Sequence, residues 1–300
     1  MNIEPGSVYD TITRFSPILE NPLEVHAPSP TARLDVELLL AAVLKLSRSN
    51  LILSHNYILL PREREQFMGL FKRRAKGEPV AYILGKKDFW DMELQVSSET
   101  LIPRPETEIL VEVAVKTVVE EILGMGYGKD IVLCDAGTGS GAVALALAYE
   151  FPQVTVVGVD KSGSALACAA ANAVKRKATN VHWVQSDWLL PFEGQQRFRI
   201  VMANPPYIAE GDPHLQAPEM GFEPREALVS DDSGYADLFK IIDQATWVLQ
   251  RPGWLMLEHG SGQAEEVRGR MQQVGFEESH TFQDLAGLDR VTIGKIVGVV

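Results

Sequence analysis

The strongest constraint on the fold is an alternation, beyond residue 130, between short apolar runs and stretches with helical character. The apolar runs, which we interpret as buried strands, are Ile131–Asp135, Val154–Asp160, Val181–Ser186, Phe198–Ala203 and Trp254–His259. The helical segments between them lie near Ala142–Glu150, Ser164–Lys175, Ala236–Leu249 and Gln263–Val274. Strands that are apolar on both faces and separated by helices predict a parallel sheet covered by helices on both sides.

The end of the chain breaks this alternation. Two further strand-like runs, Glu278–Phe282 and Val291–Val299, follow each other with no helical segment between them. Neighbouring strands joined by a short connection pair in antiparallel fashion. We therefore predict an α/β fold with a seven-stranded, Rossmann-like sheet that is closed by an antiparallel pair.

The N-terminal residues have a different pattern. Apolar residues between Arg33 and Leu46 recur at the spacing of an amphipathic helix, and a second helical stretch begins at Pro61 and ends at Gly77. Residues 1–85 are thus predicted to be a small helical domain. Residues 86–102 suggest a β-hairpin linker, and a helix from Glu106 to Leu123 lies at the start of the main domain, 103–300. The proline-rich residues 1–30 match no family pattern, and their role stays open.

Composition indicates an ordinary soluble protein, with 46% hydrophobic and 23% charged residues. No apolar run approaches the ~18 residues of a membrane span, and the N-terminus lacks the pattern of a secretory signal. Only two cysteines are present, Cys134 and Cys168, as expected for a reducing compartment. We therefore predict a cytoplasmic protein without membrane association.

The net charge of −12 argues against a protein that binds nucleic acid through bulk electrostatics. Between Arg62 and Lys87, however, eight basic residues stand against three acidic ones, a local charge of +5. Two interpretations stay open: a solvated helix face, or a surface that docks an acidic macromolecule.

A glycine-rich loop follows the first strand of the predicted sheet and opens the next helix. Glycines permit positive φ and let a ligand approach the backbone, and a helix N-terminus offers N–H groups to an anion. Nineteen residues after Gly141, Asp160 ends the next strand, where a carboxylate can accept the ribose hydroxyls of a nucleoside. We predict a nucleoside-containing cofactor bound by the loop residues Gly137, Thr138, Gly139, Ser140 and Gly141 and by Asp160.

The loop alone does not choose between NAD and S-adenosylmethionine. Its spacing is G-x-G-x-G, which departs from the G-x-G-x-x-G dinucleotide pattern and weakens the case for NAD. Asp187 and Trp188 follow the third strand of the sheet. The acid can accept an adenine amino group, and the indole can stack on the adenine ring.

Asn204, Pro205, Pro206 and Tyr207 follow the fourth strand, Phe198–Ala203. The two prolines fix φ and remove two backbone donors, which makes a rigid corner. The Asn204 side-chain oxygen and the Pro205 carbonyl can accept both N–H bonds of a planar NH2 group, with the Tyr207 ring against its face. We predict that Asn204, Pro205 and Tyr207 act in catalysis and that the whole corner binds substrate.

Several motifs together resemble the HemK/PrmC family, the peptide chain release factor N5-glutamine methyltransferases. They are Gly77–Tyr82, Pro103–Glu108, Asp135–Gly141, Ser186–Trp188, Asn204–Tyr207, Phe222–Leu228 and Leu257–Gly260. The resemblance implies a class I methyltransferase fold and S-adenosylmethionine as cofactor, held by the glycine loop, Asp160, Trp188 and Asn204. It also implies a release-factor substrate, the glutamine of a Gly-Gly-Gln loop, and a role in substrate recognition for the helical domain 1–85. Roles for Arg104 and Glu106 stay open.

Three alternatives remain: a ribosomal-protein glutamine methyltransferase, a nucleic-acid adenine methyltransferase, and a silent binding module with the same fold. Flipping a base out of a duplex requires a basic groove, which the net charge disfavours, so no direct nucleic-acid substrate is expected. The histidines have no metal-ligand spacing, so no metal is expected. Three further residues, His259, Glu258 and Asp237, are expected to be structural.

Overall fold

The computed structural model describes residues 5–25, 27–119 and 131–298, and it divides the chain into two compact units. The first comprises residues 1–86 together with 213–222, and the second comprises 87–212 and 223–300. The end of the predicted helix Glu106–Leu123 and Val299, the last residue of the predicted strand Val291–Val299, lie outside the described residues.

The first unit is helical. Its helices are α1 (Val8–Glu20), α2 (Ala32–Leu44), α3 (Arg48–Leu53), α4 (Pro61–Arg74) and α5 (Val80–Leu84). Three phenylalanines hold its core, because the Phe15 ring meets those of Phe67 and Phe71 edge-on at centroid distances of 5.2 and 4.9 Å. Gly77, predicted to end α4, has a φ of +100° and lies just beyond it.

Residues 213–222 were predicted to belong to the main domain, whereas the structure groups them with the first unit. An ion-pair network explains this. Arg74, only 3% exposed, donates from Nε to Asp35 at 2.7 Å and from Nη2 to Glu219 at 2.9 Å. A buried guanidinium needs such partners. Because Arg74 is buried, it cannot contribute to a basic docking surface over residues 62–87.

The second unit contains the predicted seven-stranded sheet. Its strands are β3 (Val132–Ala136), β4 (Thr155–Asp160), β5 (Val181–Gln185), β6 (Phe198–Ala203), β9 (Leu249–Glu258), β10 (Phe276–Gln283) and β11 (Asp289–Ile296). Their order in the sheet is β10-β11-β9-β6-β3-β4-β5. Strand β11 is antiparallel to both β9 and β10, while the other pairs are parallel. The predicted fold class is confirmed.

The helices of this unit are α6 (Thr107–Thr117), α7 (Ala142–Glu150), α8 (Gly163–Arg176), the single turn α9 (Asp231–Gly234), α10 (Ala236–Val248) and α11 (Ala264–Gln273). Helix α7 is buried over most of its length, and all six residues of β6 are buried. These two elements lie in the middle of the fold, which is why their sequences are apolar without alternation.

Two small sheets complete the second unit. Strands β1 (Lys86–Phe89) and β2 (Met92–Gln95) form one, and β7 (Ile208–Ala209) pairs in parallel with β8 (Val229–Ser230) in the other. The predicted hairpin over 86–102 is therefore shorter than expected. Strand β2 ends at Gln95. In the turn that follows, the Thr100 N–H donates to the Ser97 carbonyl at 3.0 Å. The Ile102 N–H donates to the Glu223 side chain instead of to a strand.

Candidate active site

The register of the central sheet brings the two most informative loops together. Strands β3 and β6 are parallel neighbours, with Ala136 paired to Ala203. The glycine loop follows Ala136 and the Asn204 corner follows Ala203, so both loops leave the same edge of the sheet. The strand order reverses at this position, which is where α/β sheets form a binding crevice.

A cavity of about 480 Å³ lies at this edge. Its lining includes seven of the predicted site residues: Gly137, Gly139, Asp160, Asp187, Trp188, Asn204 and Pro206. Two segments for which the sequence predicted no contact, 98–101 and 224–227, also line it. The glycine loop and the Asn204 corner therefore share one cleft.

The glycine loop is fixed by its backbone. The N–H groups of Gly137 and Thr138 both donate to the Val159 carbonyl, at 2.8 and 2.9 Å. The next N–H, from Gly139, donates to Asp160 Oδ2 at 2.9 Å. Gly139 has a φ of +55°, and a Cβ there would meet no atom within 4 Å, so this turn leaves the cavity open at its backbone.

The side chains of Thr138 and Ser140 do not line the cavity. Both are buried, and the Thr138 hydroxyl donates to Asp135 Oδ2 at 2.6 Å. The same oxygen accepts the Ala144 N–H at 3.0 Å, which ties the loop to α7. Burial raises the pKa of Asp135 to about 6, against the effect of these hydrogen bonds. Gly141, the N-cap of α7, faces Ala169 and Trp183 instead of the cavity.

Four carboxylates line the cavity, those of Glu99, Asp160, Asp187 and Glu226, and two of them, Asp160 and Asp187, were predicted to bind the cofactor. Asp160 accepts the N–H groups of Gly139 and Ser162, each at 2.9 Å, through different oxygens, which fixes its orientation at the end of β4. Asp187 is half-exposed and lies 2.6 Å from the Lys240 ammonium. Asp160 is thus held by backbone donors, whereas Asp187 is held by a surface ion pair.

The Trp188 indole lines the cavity next to Gly137. Its Nε1 donates to Asp237 at 3.0 Å, which fixes the ring, and Asp237 also accepts the Ser230 hydroxyl at 2.7 Å. A Cβ at Gly137 would lie 2.9 Å from the ring atom Cζ3 of Trp188. Asp237 therefore positions Trp188, and Gly137 leaves room for the ring.

We expect Gly137→Ala to lower the free energy of unfolding by at least about 1–2 kcal/mol, the cost of a left-handed φ for a residue with a Cβ. The φ of +79° and the contact with Trp188 both oppose alanine. The matched control is Gly269→Ala in α11, where a Cβ would meet nothing within 4 Å. That change should stabilise the protein, by up to about 1 kcal/mol. Urea unfolding measures both, and equal effects would contradict this account of the loop.

Only part of the Asn204–Tyr207 corner lines the cavity. Asn204 and Pro206 line the cavity, whereas Pro205 is buried and Tyr207 lies outside the lining. The Tyr207 hydroxyl donates to Glu258 Oε1 at 3.4 Å, and burial raises the pKa of this hydroxyl. The Asn204 Nδ2 donates to Thr107 Oγ1 at 3.0 Å, and no hydrogen bond to Oδ1 is found among the described residues, so Oδ1 is the acceptor that the carboxamide can offer to a ligand.

Side-chain contacts of Glu223 and Lys161 lie close to the two segments, 98–101 and 224–227, for which the sequence predicted no place in the site. Glu223, 6% exposed, accepts Nη2 of Arg104 through Oε1 and the Ile102 N–H through Oε2, the latter at 3.1 Å. Lys161, at the end of β4, forms an ion pair with Glu226 at 2.9 Å. These contacts hold segment 224–227 beside segment 98–101. The motifs around Arg104 and Glu223 were noted in the sequence, but nothing in their spacing indicated this contact.

His259, expected to be structural, is fully buried and contacts the Gly260 carbonyl and the Thr292 hydroxyl through its two ring nitrogens, at 2.9 and 2.7 Å. Burial lowers its pKa. Over residues 5–25, 27–119 and 131–298, no group of three or more acidic, histidine or cysteine side chains could hold a metal ion. The same residues contain no helix long and apolar enough to cross a bilayer.

Comparison with known proteins agrees with this geometry. The family model described as the PrmC N-terminal domain matches residues 23–85, and one described as a methyltransferase domain matches residues 128–285. The release factor glutamine methyltransferase of Pseudomonas aeruginosa is 43% identical over 267 residues, covering 89% of this chain and 94% of the relative. This chain belongs to the release factor glutamine methyltransferase family.

The Escherichia coli K12 family member is 40% identical over 89% of this chain and 93% of its own length. Among solved structures, the hMettl16 catalytic domain in complex with an RNA hairpin superposes with a TM-score of 0.51 at 13% identity, over 82% of this chain and 86% of that one. This structural likeness shows the shared fold alone. The resemblance stated from the sequence motifs is confirmed.

Proposed function

We propose that this protein transfers a methyl group from S-adenosylmethionine to the side-chain amide nitrogen of the glutamine in the Gly-Gly-Gln motif of peptide chain release factors. The observation that carries the proposal is the shared cleft of the glycine loop and Asn204, in a chain of this family. We further propose that the protein acts in the cytoplasm and that the helical N-terminal domain takes part in substrate recognition.

The cavity fits the cofactor. Gly139 presents backbone without a side chain, and the Asp160 carboxylate is oriented by two backbone donors with lone pairs remaining for ribose hydroxyls. Trp188 offers an indole held by Asp237 for the adenine ring, and Asp187 offers an acceptor for the adenine amino group. When bound, S-adenosylmethionine supplies an electrophilic methyl group on its sulfonium sulfur.

The substrate nitrogen would be held by the corner after β6. The Asn204 Oδ1 and the Pro205 carbonyl would accept the two N–H bonds of the glutamine amide, and Pro206 would line the slot. An amide nitrogen is a weak nucleophile, so the proposed role of these acceptors is orientation, which contributes about 7–11 kcal/mol in well-aligned systems. Acceptors on both N–H groups would also stabilise the transition state, in which the lone pair of the amide nitrogen forms the new bond to the methyl carbon. No strong base would be required, because the amide nitrogen would lose one proton to water once it carried the methyl group, and the cofactor would leave as the neutral thioether.

The test is incubation of the purified protein with methyl-labelled S-adenosylmethionine and a purified release factor, followed by mass spectrometry of the labelled peptide. We expect label on the glutamine of the Gly-Gly-Gln loop and none when that glutamine is alanine. Ribosomal proteins and DNA serve as competing substrates. Label on either of these instead, or calorimetry without any binding of S-adenosylmethionine, would overturn the proposal.

A further inference from the structure

Glu258, at the end of β9, is a carboxylate in an unusual position. Its residue is 1% exposed, and its Oε2 atom has no hydrogen-bond partner among the described residues. The Tyr207 hydroxyl donates to the other oxygen at 3.4 Å. A buried carboxylate with an unpaired oxygen is costly, so its retention requires an explanation.

Glu258 lies next to the predicted methyl-transfer residues by register. Strands β6 and β9 are parallel, with Ala203 paired to Leu257, so Asn204 and Glu258 come one residue later on adjacent strands. The Thr107 side chain connects them. Its residue is buried, its Oγ1 accepts Asn204 Nδ2 at 3.0 Å, and its hydroxyl also acts on the Glu258 carboxylate, lowering the pKa of that group.

The donor and acceptor roles of Glu258, Thr107 and Asn204 depend on one another. An ionised carboxylate only accepts hydrogen bonds, and a threonine hydroxyl has a single hydrogen to donate. The Glu258 Oε2 atom, unpaired among the described residues, is the acceptor available to that hydrogen. When the hydrogen turns towards it, the Thr107 oxygen can only accept, and it selects the NH2 side of the Asn204 carboxamide. A neutral carboxyl or a glutamine at position 258 can itself donate to Thr107. The Thr107 hydroxyl can then donate to Asn204 Oδ1. In that arrangement the Asn204 carboxamide would be flipped, with its NH2 group directed at the substrate.

We propose that Glu258 and Thr107 are positioning residues that keep the Asn204 carboxamide oxygen directed at the substrate amide. Glu258 also holds the Tyr207 hydroxyl, so that one buried carboxylate orients both ends of the Asn204–Tyr207 corner. The part of this inference that concerns turnover rests on the proposed function, whereas the amide orientation does not.

The state of Glu258 should depend on pH near neutrality. Burial raises its pKa to about 7, and the charge of Glu106 acts in the same direction. The Thr107 and Tyr207 hydroxyls and the Arg290 guanidinium act in the opposite direction. The carboxylate form, which fixes the amide, therefore predominates above pH 7 and is lost as the pH falls below it.

The kinetic test compares Thr107→Val, which removes the hydroxyl, with the matched variant Thr107→Ser, which keeps it. We expect Thr107→Val to lower kcat on a release factor by about 10- to 100-fold, the size of effect that a small misplacement produces. The KM for the release factor and the Kd for S-adenosylmethionine should stay within about 3-fold. Thr107→Ser should retain most of the activity, and equal losses in the two variants would overturn the proposal.

The pH test uses Glu258→Gln. Wild-type kcat should rise as the pH increases through about 7, whereas Glu258→Gln should have a low kcat without this rise. The same rise in Glu258→Gln would contradict the proposed role.

A spectroscopic test does not depend on turnover. The ¹⁵N-labelled side-chain amide signals of Asn204, identified by their absence in Asn204→Ala, should shift with a midpoint near pH 7 in the wild type and not in Glu258→Gln. If the wild-type signals do not shift, the inference is wrong even if the enzyme is active. If the wild type methylates no release factor but its signals shift, the proposed function fails and the positioning role stands.

Discussion

Replacing Asn204 with alanine should lower kcat for release factor methylation by about 10²–10³-fold, the loss seen when one preorganised hydrogen-bonding group is removed from an active site. The Asn204 Oδ1 is the free acceptor of a carboxamide whose nitrogen is bound to Thr107 at 3.0 Å. Alanine removes the acceptor that would hold the substrate nitrogen in line. The Kd for S-adenosylmethionine should change far less, by about 3-fold at most, because the glycine loop and Asp160 stay in place.

The control is Gln185→Ala, which removes a carboxamide from the end of β5, the edge strand of the same sheet. Gln185 donates to the Lys161 carbonyl at 3.1 Å and does not line the cavity. This variant should keep kcat within about 2-fold of the wild type. Single-turnover kinetics with calorimetry separates the two quantities. Near-wild-type turnover in Asn204→Ala would contradict the proposed role of the corner.

Replacing Asp160 with alanine should raise the Kd for S-adenosylmethionine by about 100-fold or more. Two hydrogen bonds from ribose hydroxyls to an ionised acceptor contribute about 1.5–3 kcal/mol each, and about 1.4 kcal/mol corresponds to a factor of ten. The change also leaves the Gly139 and Ser162 N–H groups without their acceptor, at 2.9 Å each in the wild type. The glycine loop should therefore loosen as well.

Calorimetry measures this effect, with Asp243→Ala as the control. Asp243 is also a paired aspartate of the second unit, bound to Arg270, but it does not line the cavity. Its replacement should leave the Kd unchanged within about 2-fold. A cofactor affinity in Asp160→Ala equal to that of Asp243→Ala would show that Asp160 does not bind the ribose.

The sequence predicted the central sheet well because burial on both faces leaves a direct trace in composition. Strand β6 was predicted with its observed bounds, Phe198–Ala203, and helix α7 likewise, Ala142–Glu150. Both are almost completely buried, so their sequences are apolar apart from Arg199 in β6 and Glu150 at the end of α7. The short helices α3 and α5 were not predicted, since six and five residues are too few to establish a helical period.

The site was predicted in part, for a similar reason. Residues directly after a strand, such as Gly137, Asp160 and Asn204, could be placed at one edge of the sheet from sequence alone. Segment 224–227 could not, because its position depends on the contact between Arg104 and Glu223, which are far apart in the chain. Glu258 was expected to be structural, and only its distance to Tyr207 and its burial suggest more.

The orientation of the Tyr207 side chain could not be predicted from the local sequence alone. The predicted contact between its ring and the substrate stays a prediction. The structure adds that its hydroxyl donates to Glu258 and that the residue lies outside the cavity lining. The direction of a side chain after two prolines is set by the packing of β9, which local sequence does not contain. The Asn204 side chain, by contrast, has one hydrogen-bonded nitrogen and one free oxygen, as the predicted role requires.

The most direct measurement is a crystal structure of the protein with S-adenosylhomocysteine and a peptide that carries the Gly-Gly-Gln sequence. We expect the nucleoside between Asp160 and Trp188, with the glutamine amide nitrogen within hydrogen-bonding distance of Asn204 Oδ1 and facing the cofactor sulfur. A glutamine bound away from Asn204, or a nucleoside outside the cleft shared by the two loops, would contradict the account.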